Sequence, residues 1–321
     1  MVHTFHIPTS KTCTNMKKLQ TENPHLATRI EFGLYLAFTR AHSPLYRPLS
    51  LNICREAFSY LGGDHIYLGS IQDYQLIVYD LLTESMQITV SSLNIKLQSA
   101  GLAQLDSNTM LMIGGANLKQ VRSINIWTGT ITKEAEMTES RAYPGLLLYG
   151  EFVWVFGGNT GNSLTSVERF HRTNRTWEMG PPMPSPKVAF TPCVHHSLIY
   201  LPCPNEKNRQ LEVLDPATEM YTLLPLLLYS GLYGSVSFVV DSYLCVIDFN
   251  KQMGRWEIGS QDTRLTDMRM SVHRERNCYT NGIPIRCGEV IYWLNGNVSL
   301  AKFDLKTSTF STSKTSMIKP A

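Results

Sequence analysis

The sequence predicts an all-β fold, a six-bladed β-propeller with a short α-helical N-terminal extension. Three observations carry that expectation. Residues 140–186 hold four short strand-like runs, each separated from the next by a turn or loop. Two marker positions recur along the chain at a nearly constant step. The hydrophobic spacing changes near His65 from helical to strand-like.

Taken in order, residues 1–22 are polar and without period and read as a disordered tail. Residues 23–63 read as a helical extension. Leu26, Ile30, Leu34 and Phe38 recur every four residues after Pro24, which predicts an amphipathic helix ending near Ala41. Ser43-Pro44 and Arg47-Pro48 punctuate the link. Leu51–Leu61 predicts a second short helix, closed by Gly62-Gly63. From 64 to 321 the period of two predicts strands, the first at His65–Ser70, Gln75–Asp80 and Gln87–Ser91.

The clearest repeat lies in the middle. Gly145–Tyr149 and Phe152–Phe156 are apolar runs about a Gly-Glu turn, which predicts a hairpin. Gly157-Gly158 follows, where the backbone bends and a Cβ would obstruct. Val167–Phe170 is a third strand, Thr173-Asn174-Arg175 a turn, and Trp177 opens a fourth strand that Pro181-Pro182 ends. The slot held by Phe170 is aligned with Tyr79, Ile126, Leu214, Ile258 and Phe303, at steps of 47, 44, 44, 44 and 45. The slot held by Trp177 is aligned with Met86, Ile131, Tyr221, Thr266 and Phe310, at steps of 45, 46, 44, 45 and 44. Two markers at one period predict repeats of propeller length. Tyr79-Asp-Leu-Leu-Thr, Leu214-Asp-Pro-Ala-Thr and Phe303-Asp-Leu-Lys-Thr repeat one turn text, in which the short Asp and Thr oxygens can bond the turn backbone.

With its Gly-Gly doublet, Phe170, Trp177 and the Pro-Pro-Met-Pro exit in this order, 140–186 resembles a kelch repeat. The likeness extends over about residues 64 to 315 and weakens outward: Gly114-Gly115 keeps the doublet, Pro202-Cys203 and Asn295-Gly296 replace it, and Gly231–Met270 keeps spacing and Trp256. The resemblance implies a kelch-type propeller that is non-catalytic and binds partner proteins through the loop face at the channel mouth. To avoid a free sheet edge, Met317-Ile318-Lys319 is expected to supply an inner strand that the first repeat lacks.

Composition narrows the classes. The net charge of +3 gives no nucleic-acid footprint, which requires a clustered basic patch. No apolar run is long enough to span a bilayer, and the first residues lack a leader pattern, so neither membrane nor export is expected. Seven irregularly spaced cysteines predict free thiols in a reducing compartment, and the resemblance implies the cytoplasm of a eukaryotic cell. No cofactor and no metal are expected. His195-His196 lies in a turn, and adjacent residues of an extended chain point apart. Cys278 and Cys287 flank the turn Asn281-Gly282 without zinc spacing. A copper-radical oxidase, the third reading, would need ligand motifs that the sequence does not contain.

Partner contacts are expected on the loops that hand one blade over to the next. The matching positions are Ser99, Arg141, Lys187, Tyr233 and Arg276, with Tyr143, Phe190 and Tyr279 as neighbouring aromatic anchors. By the resemblance, Arg141 and Lys187 grip acidic groups, an arginine forking two hydrogen bonds onto a carboxylate. The alternative function is a ubiquitin-ligase substrate receptor, in which residues 24–61 form a degenerate F-box-like docking module; a cytoskeletal scaffold belongs to the first reading.

Overall fold

In the computed structural model the described residues lie between 67 and 318 and run unbroken over 128–202. Residues 1–66, 91–98, 203–209, 228–235, 248–252, 261–265 and 269–283 lie outside them, with shorter breaks elsewhere. The expected tail, both expected helices, Tyr233, Arg276, Tyr279 and Cys278 therefore fall outside the described residues. The chain divides into two units, Met1–Ile66 with Asp80–Ser85 and Tyr67–Tyr79 with Met86–Ala321. The strands below build the second.

The described residues contain strands and no helix. β1 (Tyr67–Gln72), β2 (Gln75–Asp80) and β3 (Ser85–Val90) begin one sheet. β4 (Gly101–Asp106), β5 (Thr109–Ile113), β6 (Val121–Asn125) and β7 (Ile131–Lys133) form the next. β8 (Gly145–Tyr149), β9 (Phe152–Phe156), β10 (Val167–His171) and β11 (Trp177–Gly180) form the central one. β12 (Cys193–His195), β13 (Leu198–Leu201), β14 (Gln210–Asp215) and β15 (Met220–Leu227) follow. Then come β16 (Val236–Val240), β17 (Tyr243–Ile247), β18 (Met253–Glu257) and β19 (Thr266–Met268), and β20 (Ile285–Cys287), β21 (Val290–Leu294), β22 (Ser299–Asp304) and β23 (Thr309–Lys314). β24 (Met317–Ile318) returns to the first sheet, so the described strands make six four-stranded sheets.

In five of the sheets four consecutive strands pair in chain order, all antiparallel. That is the meander expected of apolar runs joined by short turns. Inner strands of neighbouring sheets meet: β4 lies beside β8, β12 beside β16 and β1 beside β4, while β1 also lies beside β21, the second strand of its sheet. The core sits between sheets. Leu111 and Val121 pack with Leu146, Val153 and Phe170. Trp154, Phe156 and Met183 pack with Ile199 and Leu214. Tyr200 and Val213 pack with Leu244 and Trp256, and Phe238 and Ile247 with Ile291, Trp293 and Phe303. A sheet covered on both faces must be apolar on both. That is why Phe152–Phe156 is a continuous apolar run with four of five residues buried, and not an alternating strand. The architecture is all-β and propeller-like.

The two markers prove to be cross-strand neighbours. Phe170 lies opposite Trp177, Leu214 opposite Tyr221 and Phe303 opposite Phe310. In two repeats the first marker sits two residues away from the expected position. Ile124, not Ile126, lies opposite Ile131. Trp256, not Ile258, faces Leu244 as Phe170 faces Val153. Turn lengths vary between sheets, so a spacing drawn through them drifts by one pleat.

The tail does join the first sheet, but on the other side. β24 pairs with β3, parallel, with Met317 against Met86 and Ile318 against Gln87. The first repeat has its inner strand, β1; the strand it takes from the tail is its outermost.

Candidate functional site

Successive turns of a meander alternate between the two ends of a sheet. The hand-over loops before β8 and β12 and the loop after β9 therefore share one end. An isolated bridge between Ala142 and Asn159 joins two of them directly. This end is the expected partner face.

Arg141 does not reach solvent there. Its side chain is 0% exposed and lies against Glu168, equally buried, with Nη2 3.0 Å from Oε1. Its Nη1 donates to the carbonyls of Gly157 at 2.7 Å and Ser166 at 2.9 Å, and its Nη2 to Ser166 Oγ at 2.8 Å. Glu168 also accepts the backbone N–H groups of Thr138 and Glu139. Lys187 repeats the arrangement one sheet later. It is 1% exposed, with Nζ 3.2 Å from Glu212 Oε1 and 3.1 Å from Ser185 Oγ. Charges taken out of water need such fixed partners. The expectation that Arg141 and Lys187 grip acidic groups is therefore corrected: both cations are consumed inside the fold. Phe190 is corrected as well. It is buried, and its ring covers the backbone of Gly145, where a Cβ would come within 2.7 Å of it.

Sequence reasoning missed Glu168 and Glu212, although a signal existed. Each stands two residues before the first marker, in Val167-Glu-Arg-Phe and Leu211-Glu-Val-Leu, and each belongs to a repeat with a basic hand-over residue.

The glycine doublets belong to the same junctions. Gly115 N–H donates to the carbonyl of Arg141 and Gly158 N–H to that of Lys187, both at 2.9 Å. A Cβ on Gly114 or Gly157 would collide with those same carbonyls, and both glycines hold positive φ. Each doublet thus clasps the basic residue of the next repeat, which requires glycine.

A second chain of bonds passes through residues of left-handed backbone. Ser99, Tyr143 and Ala189 have φ of 81°, 50° and 52°. Tyr143 N–H donates to Ser99 O at 2.8 Å, and Ala189 N–H to Tyr143 O at 2.9 Å. Non-glycine residues rarely hold this conformation, and where they do the surroundings impose it, often at functional positions. Ser99 is buried and Ala189 half-buried. Tyr143 is 49% exposed, among the most exposed large apolar side chains described. Next to it the loop after β9 exposes Thr160, Gly161, Asn162, Ser163 and Thr165. Of the expected contact residues within the described part, Tyr143 is the one that the structure presents to solvent.

His195 and His196 stack edge to face at a turn, with ring centroids 4.0 Å apart. Burial, and then His196 beside it, lower the pKa of His195. No group of three metal-ligating side chains gathers among the described residues.

Comparison with known proteins gives two findings. The Kelch motif family model matches residues 140–184, the repeat that holds Arg141, Tyr143, Glu168 and Trp177. Over 132 residues the chain is 26% identical to Kelch repeat and BTB domain-containing protein 2 of Ectromelia virus (strain Moscow), covering 39% of this chain and 23% of that protein. The chain thus matches less than a quarter of the length of that curated relative.

Proposed function

Because the chain is a kelch-repeat β-propeller protein, and so of the protein-interaction class, we propose that it recognises a partner protein through its loop face, in the cytoplasm and without chemistry of its own. Tyr143 is the anchor of that face. The single observation that carries the reading is a large aromatic ring, held in strained backbone by bonds from both neighbouring repeats and left open to solvent. Tyrosine at such a site brings contact area with little rotamer entropy to lose. With Arg141 and Lys187 neutralised internally, the described part of the face does not call for an acidic partner. The six sheets are taken to close as a six-bladed ring, supported by β1 lying beside both β4 and β21.

A second reading makes the propeller the recognition half of a ubiquitin-ligase receptor. The relative that carries a BTB domain beside its kelch repeats favours a two-part organisation, and residues 24–61 would then dock the ligase. Affinity capture from native cells separates the two, with the full chain, Tyr143→Ala and a form lacking residues 1–61 as baits. The proposal expects Tyr143→Ala to lose the principal partner while keeping its melting temperature. Loss of ligase subunits on truncation alone selects the second reading. Retention of every partner by Tyr143→Ala overturns the loop-face assignment.

A further inference from the structure

Every sheet of a propeller ends on an outer strand whose second edge can accept another strand. In the first sheet the outermost strand is β24, Met317-Ile318, which lies on β3 and is two residues long. Four other outer strands are guarded by charge: β7 is Ile-Thr-Lys, β11 Trp-Glu-Met-Gly, β19 Thr-Asp-Met and β23 Thr-Phe-Ser-Thr-Ser-Lys. None is longer than six residues. β15 differs on both counts. It has eight residues, Met-Tyr-Thr-Leu-Leu-Pro-Leu-Leu, and no charge. It stands at the end of its sheet, paired to β14.

The strand is regular from Met220 to Leu224. Beyond that the register shifts between Gln210 and Leu211, at the level of Pro225, which has no N–H to give. Within the regular part Met220 is 68% exposed and Leu223 44%, and Thr222 is exposed as well. The nearest acid, Glu219, has its carboxylate engaged by Arg169 at 2.9 Å.

We propose that β15 is a self-association edge: a second copy of this chain pairs with it antiparallel over Met220–Leu224, about a two-fold axis at Thr222. The occupant follows from charge. A symmetric contact sets each residue against its own kind or its mirror position, so a charged edge repels its copy, and among the described outer strands β15 is the one longer than two residues that carries no charge. Pairing covers Met220 and Leu223 and satisfies backbone groups on both copies.

The test is the oligomeric state of the full chain, read by light scattering over a concentration series. The wild type is expected at twice the monomer mass. Thr222→Lys and Thr222→Glu, each placing like charges across the axis, are each expected to weaken the dimer at least about tenfold. An equimolar mixture of the two is expected to restore a dimer that contains one copy of each, which a mere folding defect would not do. A wild type that stays monomeric throughout overturns the proposal, including the case in which β15 takes a strand from another protein. So do variants that remain dimeric, or a mixture that does not pair.

Discussion

Arg141 and Glu168 show how one residue pair can be misplaced by reading sequence alone. An arginine four residues before a glycine-led strand marks a hand-over loop, and that much is legible. Whether its guanidinium faces water depends on a carboxylate 27 positions away. Removing one partner strands the other charge. Glu168→Ala should cost about 3–5 kcal/mol, seen as a lower urea midpoint. Arg141→Met/Glu168→Leu should recover part of it, because no buried charge remains although the backbone groups of Thr138, Glu139, Gly157 and Ser166 lose their side-chain partners. Glycines separate in the same way. Gly157→Ala forces a Cβ into the carbonyl of Lys187, whereas Gly150, also at positive φ, has open space where its Cβ would stand. Gly150→Ala should cost about 1–2 kcal/mol for the left-handed backbone, and Gly157→Ala clearly more in the same unfolding measurement.

The thiols add a pH prediction at this scale. Burial pushes Cys193 and Cys245 up to about 12 from an ordinary 9.0. A folded-state value above the unfolded one contributes stability that is complete below the unfolded pKa and is lost as pH rises toward the folded one. Both thiols should therefore resist alkylation in the native protein at pH 8, and their contribution to stability should drain between pH 9.0 and about 12. Rapid labelling under native conditions at pH 8 would show that the sites open.

At the scale of elements, the strands of the central repeat were legible almost to the residue. Gly145–Tyr149 and Phe152–Phe156 are β8 and β9 as spaced in the sequence, because glycine and proline bound them. Legibility faded where turns vary in length, as in the two-residue drift to Ile126 and Ile258. It failed for the tail: apolar residues at Met317-Ile318 signal that a strand exists, but not which edge it takes. The outer markers explain themselves only in three dimensions. Trp177 Nε1 donates to Ala135 O at 2.8 Å, and Tyr221 Oη to Pro181 O at 3.0 Å, each reaching back to the preceding repeat. Burial pushes the Tyr221 hydroxyl up, with Glu212 nearby adding to it, which keeps it a donor. Trp177→Phe keeps the packing and loses the bond, for about 0.5–1.5 kcal/mol in denaturant unfolding. Deleting residues 315–321 spares β23 and uncovers β3, and should lower the melting temperature by about 2 °C or more.

For the whole molecule, three kinds of link cross each junction of the central arc. Doublet glycines clasp the next basic residue, left-handed residues pass a hydrogen bond from Ser99 to Tyr143 to Ala189, and aromatic tips reach back at the rim. Packing between sheets does the rest, each core cluster drawing on two adjacent sheets. Rigid repeats of this kind hold loops in place without strands having to move, which suits a recognition surface. The central proposal is that Arg141 is spent on Glu168 inside the fold and makes no partner contact, which leaves the contact to Tyr143. Partner capture with Arg141→Met/Glu168→Leu, beside the wild type and with melting temperature as the control, tests it most directly. A cooperative melt with all partners retained is the predicted result; a cooperative melt with the principal partner lost would mean that the arginine itself makes the contact.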